Sequence, residues 1–154
     1  MIKGVKIKIL KVIPDNRGRL MEILRCDDEI FEKFGQVYMT TAKPGIIKAW
    51  HYHKLQDDNF TCVYGKILFA LHDGRTDSPT HGELNDFIIS AEEPKLIHIP
   101  KGVWHGFKNI GDCEAIVINT ITNTYNYSNP DEYRVDAFDK KIGYNWEKIK
   151  KTKE

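Results

Sequence analysis

An all-β fold, a sandwich or small barrel of about ten short strands with one short helix, is what this sequence predicts. Three observations carry it. Apolar and polar residues alternate with a period of two in stretch after stretch. Turn-forming residues cut those stretches into short lengths. A single segment places its apolar residues at helical spacing.

The elements follow in order. Residues 5–13 alternate lysines with aliphatics, as a half-buried strand should, and such a strand could cross to a partner chain. Asp15-Asn16-Arg17-Gly18 is a turn, and residues 19–25 resume as a strand. Residues 27–34 are the predicted helix, with Asp27 at the start, Ile30, Phe31 and Phe34 at helical spacing, and Gly35 as the stop. Strands follow at 36–42 and 46–53, parted by Lys43-Pro44-Gly45. Residues 59–64 and 66–72 flank Gly65 like a tight hairpin. The stretch 73–85 is polar and turn-rich, and strands at 87–90, 95–99, 104–108 and 114–122 complete the set. No repeat or linker divides the chain, so residues 1–154 are expected to form one domain, with 147–154 as a tail.

Charged residues make up 29% of the chain and nearly cancel, leaving a formal net charge of +1. No global field draws the protein to nucleic acid or anionic lipid. The basic run at 148–153 lacks interleaved aromatics and reads as a solvated tail. Cys26, Cys62 and Cys113 form no CxxC pair and are expected as reduced thiols. Neither a signal peptide nor a membrane-length apolar run is present, so the expected location is the cytoplasm.

The chemistry concentrates in two blocks. Gly45, His51, His53, Asp58 and Gly65 keep the spacing Gly-x5-His-x-His-x4-acid-x6-Gly, and Pro100, Gly102, His105 and Asn109 keep Pro-x-Gly-x2-His-x3-Asn. Strand alternation points His51 and His53 one way, with Ile47 and Ala49, and Lys48, Trp50 and Tyr52 the other. The Pro-x-Gly turn brings His105 back towards them. Two chemistries fit three imidazoles and a carboxylate: a metal held by His51, His53, Asp58 and His105, or a metal-free site in which one histidine is a general base.

The two blocks resemble the cupin signature, and a longer succession narrows the likeness. Asp15-Asn16-Arg17-Gly18-Arg19-Leu20-Met21-Glu22, Ile47-Lys48-Ala49-Trp50-His51-Tyr52, Ser78-Pro79-Thr80-His81-Gly82 and Ile99-Pro100-Lys101-Gly102-Val103-Trp104-His105-Gly106-Phe107 occur in that order. Over about residues 12–146 the chain resembles the dTDP-4-dehydrorhamnose 3,5-epimerase family and its relatives acting on other nucleotide-linked 4-keto sugars. That resemblance implies a cupin jelly-roll barrel, a homodimer exchanging N-terminal strands (residues 1–13 here), no cofactor and no metal. It also implies a nucleoside-diphosphate sugar as the partner and a role in surface-polysaccharide synthesis. His51 matches the family's base, His105 a second histidine beside the enolate oxygen, and Lys48 and Arg17 positions on the diphosphate side.

Departures from the family pattern fall inside the site. Asn119 stands where the proton-donating tyrosine is usual, so Tyr125, Tyr127 or water must replace it, or a single carbon is epimerised. Asp58 stands in place of a lysine, and His53 in place of a glutamine. The chain ends before the segment that supplies the base's carboxylate partner, so Asp58 or Asp73 is expected to orient His51. His53, Asp58, Asn119 and Tyr127 complete the expected substrate-binding set. A metal-dependent cupin enzyme and a non-catalytic sugar-nucleotide-binding cupin remain as alternative readings.

Overall fold

The structure, a computed structural model, describes residues 1–148. Its regular elements are β1 (Lys6–Ile9), β2 (Val12–Asp15), β3 (Gly18–Met21), β4 (Gln36–Ala42), β5 (Ile47–Tyr52), β6 (Asp58–Tyr64), β7 (Lys66–Asp73), β8 (Leu84–Ser90), β9 (Lys95–Ile99), β10 (Val103–Asn109), β11 (Ala115–Ile121) and β12 (Tyr133–Arg134). Two five-stranded antiparallel sheets carry the orders β1-β9-β6-β11-β4 and β12-β5-β10-β7-β8, and β2 and β3 form a separate hairpin. The tail expected at 147–154, and the basic run within it, lie from residue 149 onward outside the described residues.

The inner faces of the two sheets share one core. Phe60 from β6, Phe69 from β7, Phe107 from β10 and Val117 from β11 are all buried there. β7 is apolar on both faces because a second cluster covers its back: Leu68 and Ala70 pack with Trp50, Ile142 and Trp146. Both indoles donate to the Ala137 carbonyl, Trp50 at 3.2 Å and Trp146 at 3.0 Å. The segment after β12 is thereby clamped over β5 and β7, and all three tryptophans serve packing, Trp104 from the margin of the same cluster.

The predicted helix at 27–34 does not form, and the described residues contain no helix. Asp28 accepts the Arg25 backbone N–H at 2.8 Å and binds the Lys8 ammonium, while Phe31 N–H bonds back to the Asp28 carbonyl at 2.9 Å. Such side-chain bonds to local backbone favour tight turns over a continuing helix. Of the three apolar residues at helical spacing, only Ile30 is buried, against Leu10 and Leu96; Phe34 is 63% exposed. The strand expected at 5–13 is likewise divided. At Leu10 the chain dips into that small cluster, its N–H on the Pro94 carbonyl at 3.0 Å, and β2 starts afresh at Val12.

The two-sheet core makes a clear demand on Phe69, which has no exposed surface and stacks on Phe60 at 4.6 Å between centroids. Phe69→Ala is expected to lower the unfolding free energy by about 3–5 kcal/mol. A urea titration reads this as a lower midpoint at unchanged slope, and an unmoved midpoint would contradict the shared core.

Candidate active site

β5 supplies the first half of the site, and a bulge decides where its side chains point. His51 pairs with His105 and Lys48 with Phe107, so two residues on β5 (Ala49 and Trp50) oppose one on β10 (Gly106). The extra residue flips the alternation. Lys48, expected on the face away from His51, therefore lines the same cavity as His51, while Trp50 packs into the outer cluster. Gly106 permits the approach: a Cβ there would lie 2.3 Å from the Ala49 Cβ.

The Pro100-to-Val103 turn supplies the second half. Gly102 adopts φ +85°, a conformation that favours glycine, and its N–H binds the His53 carbonyl at 2.7 Å. The end of β5 and the start of β10 are tied at that point. His105 then donates from Nδ1 to the Val103 carbonyl at 3.0 Å, which turns its Nε2 towards Asp58 Oδ2, 3.3 Å away. His53 is set the same way, with Nδ1 on the Asp131 carbonyl and Nε2 3.5 Å from the same carboxylate oxygen. The Asp131 carboxylate in turn accepts the Lys54 and Leu55 amides.

Asp58 is buried at the head of β6 and accepts further bonds from Gln56 Nε2 at 3.1 Å and Asn119 Nδ2 at 2.8 Å. Burial alone would raise its pKa, but the His105 and His53 imidazoles beside it hold it well below the usual carboxylate range. For His53, burial opposes protonation, yet the Asp58 carboxylate and the Asp131 carbonyl more than offset it and the pKa rises. His51 goes the other way. Burial, together with His105 and His53, outweighs Asp58 and pushes its pKa well below the ordinary imidazole value. Its ring packs edge-on to His105 at 4.1 Å.

His51 opens onto a cavity of about 380 Å³ between the sheets, lined also by Tyr38 and Thr40 of β4, Lys48, Phe60, Phe107, Glu132 and Arg134. Lys48 Nζ donates to Thr40 Oγ1 at 2.8 Å, and Arg134 pairs with Glu132 at 2.8 Å. Arg134 is the cross-strand partner of His51 through β12.

Of the residues singled out by sequence, His51, His53, Asp58, His105, Asn119 and Lys48 converge here. Arg17 does not. It is 84% exposed at the tip of the β2–β3 hairpin and pairs with Asp15. Tyr125 and Tyr127 sit on the segment after β11, 40% and 87% exposed, and neither lines the cavity. Asp73 is committed to Arg75, Ser78 and Thr80 at the far end of β7 and does not orient His51. Sequence reasoning missed Tyr38, Thr40, Glu132 and Arg134. For the last two a signal existed, since they end the aromatic-rich stretch 125–134, but a two-residue strand is too short to show periodicity.

The donor set also suits a metal ion. His51, His53, Asp58 and His105 each offer one ligand atom, all within 4.8 Å of one another. With both Nδ1 atoms facing carbonyls, His53 Nε2 and His105 Nε2 are buried without a hydrogen-bond partner. In neutral rings they would aim lone pairs at Asp58, an arrangement relieved by a proton or by a divalent cation.

Two histidines two residues apart are thus expected to titrate in opposite directions. Side-chain NMR at pH 6.5 should find His53 mainly protonated and His51 neutral. A protonated His51 at that pH would remove it as a candidate base.

The family model described as dTDP-4-dehydrorhamnose 3,5-epimerase matches residues 1–154. The spore coat polysaccharide biosynthesis protein SpsL of Bacillus subtilis is 41% identical, over 95% of this chain and 97% of its own length. The probable low-salt glycan biosynthesis epimerase Agl13 of Haloferax volcanii is 42% identical over 87% of each. Among solved structures, the dTDP sugar isomerase of Desulfovibrio desulfuricans superimposes with a TM-score of 0.90 at 30% identity, covering 96% of this chain and 94% of that one. The cupin-like fold follows from that match, and with the family model running from end to end the chain belongs to the dTDP-4-dehydrorhamnose 3,5-epimerase family, isomerases of nucleotide-linked sugars.

Proposed function

We propose that the chain inverts C3, C5 or both of a 4-keto sugar carried on a nucleoside diphosphate, with His51 as the base, in the synthesis of a surface polysaccharide. The observation that carries this reading is a His51 ring kept neutral by burial and facing a cavity beside two cations, Lys48 and Arg134. The 4-ketone acidifies the neighbouring C–H bonds. His51 takes one proton, and the electron pair moves into the carbonyl as an enolate. Lys48 and Arg134 are the cations at the cavity for the diphosphate and for the developing negative charge. Lys48 offers a point charge without a planar fork, whereas Arg134 has the fork that matches a phosphate. His105 stands behind His51 with its Nε2 on Asp58, and it serves as a positioning residue.

Two copies of the chain are expected to pair. The β2–β3 hairpin stands apart from both sheets with Ile13 and Leu20 exposed, and Val37 and Met39 of the edge strand β4 are exposed as well. A covered interface would bury these apolar side chains. The three free thiols and a nucleotide-linked substrate fit a cytoplasmic location.

A second reading is favoured by the two buried, unpartnered Nε2 atoms. A divalent ion on His51, His53, Asp58 and His105 would act as a Lewis acid towards the sugar carbonyl, and His51 would be a ligand and not a base. Metal analysis of protein purified without chelator separates the two. Stoichiometric iron, manganese or zinc would replace the first reading by the second.

The first reading is tested in heavy water with dTDP- and UDP-linked 4-keto-6-deoxyhexoses. The enzyme is expected to place deuterium at C3, C5 or both, and His51→Asn to slow this by about 10²–10⁴-fold. Exchange that survives the substitution would dismiss His51 as the base.

A further inference from the structure

Asn119 occupies the place on β11 where the family resemblance puts a proton-donating tyrosine, and β4 carries a phenol directly opposite it. Asn119 and Tyr38 are paired residues in the β11–β4 ladder. The Asn119 amide is fixed in orientation, because its Oδ1 accepts the Asn59 backbone N–H at 3.1 Å. Its Nδ2 then donates both hydrogens, one to Asp58 Oδ2 and one to the Tyr38 hydroxyl oxygen, each at 2.8 Å. A phenol oxygen that accepts from Asn119 keeps its own hydrogen for another acceptor. Tyr38 lines the cavity that His51 lines, and the two residues come from opposite sheets. Base and phenol therefore flank the space a sugar ring would fill.

We propose that Tyr38 is the general acid that returns a proton to the sugar carbon on the face opposite His51, an assignment that rests on the epimerase reading above. His51 removes the proton from C3 or C5, and the C–H pair becomes the enolate. The Tyr38 O–H bond then breaks. Its proton joins the same carbon from the far side, the enolate pair forms the new C–H bond, and the ketone is restored. The phenolate left behind is held by the Asn119 N–H and regains a proton from water, while the His51 imidazolium gives its proton to water. Burial and the nearby Asp58 charge push the phenol up to about 12, so it is protonated at the start of each turnover. The Asn119 hydrogen bond works in the opposite sense and eases departure of the proton.

The test separates exchange from inversion. In heavy water the wild-type enzyme, given dTDP- and UDP-linked 4-keto-6-deoxyhexoses, is expected to yield labelled epimer. Tyr38→Phe preserves the ring and its packing. It should form epimer at least ~10²-fold more slowly, while deuterium still enters recovered, uninverted substrate through His51. A merely structural role would lower both together. As a second measurement, 3,5-difluorotyrosine at position 38, a more acidic phenol, should bring into range an alkaline limb of the epimerisation rate that the wild type lacks. Inversion at the wild-type rate in the phenylalanine variant, parallel loss of exchange and inversion at an unchanged melting temperature, or no new alkaline limb would each overturn the assignment. A wild-type enzyme that exchanges no proton with any of these sugars would instead remove the epimerase reading, and the assignment with it.

Discussion

The site depends on one buried negative charge. Asp58 lies at the head of β6 in one sheet, while His105 of β10 and His53 just past β5 reach it from the side of the other, so the carboxylate ties the two layers together. A charge so buried persists only when paired and hydrogen-bonded. Gln56, Asn119 and the two imidazoles meet that requirement. One carboxylate cannot satisfy three imidazoles. His53 and His105 face it directly, and His51, packed against the other two rings, is left uncharged. The poise of His51 is therefore a consequence of its burial and of where its neighbours aim, with no carboxylate of its own.

Aiming them is the work of the backbone. The bulge opposite Gly106 lets Lys48 and His51 share a face despite their odd spacing, and it sends Trp50 into the outer cluster, where Trp146 and the segment after β12 lock it. β12, from which that segment continues, bears Arg134, so the packing that anchors β5 also delivers a cation to the cavity. Gly102 performs the matching task on the other side. Its N–H on the His53 carbonyl joins the two histidine-bearing blocks, fifty residues apart in sequence, at one hydrogen bond.

Much of this was legible in the sequence. β4 and β9 begin and end where alternation placed them, and β5, β6, β7, β10 and β11 lie within one residue or so at either end. His51, His53, Asp58 and His105 converge as the spacing required. What failed has physical causes. The 27–34 segment has helical spacing, yet Asp28 offers its side chain to the local backbone and Ile30 alone finds a core. The orientation of Lys48 was misjudged because a bulge leaves no trace in a periodic pattern. Tyr38 was overlooked because its relevance lies in register. Nothing at position 38 marks it until β4 is laid against β11.

In an antiparallel ladder, directly opposite residues lie on the same face with Cβ atoms about 4.5–5.5 Å apart. A tyrosine side chain is longer than that separation, so a hydroxyl from either strand can serve the same region of the cavity. Asparagine at 119 then does two things that a tyrosine there could not do at once: it bonds the buried Asp58 and it holds the neighbouring phenol by its oxygen. The substitution that looks like a missing acid when positions are matched along the chain is, in space, an acid moved one strand across and tethered to the carboxylate that organises the rest of the site.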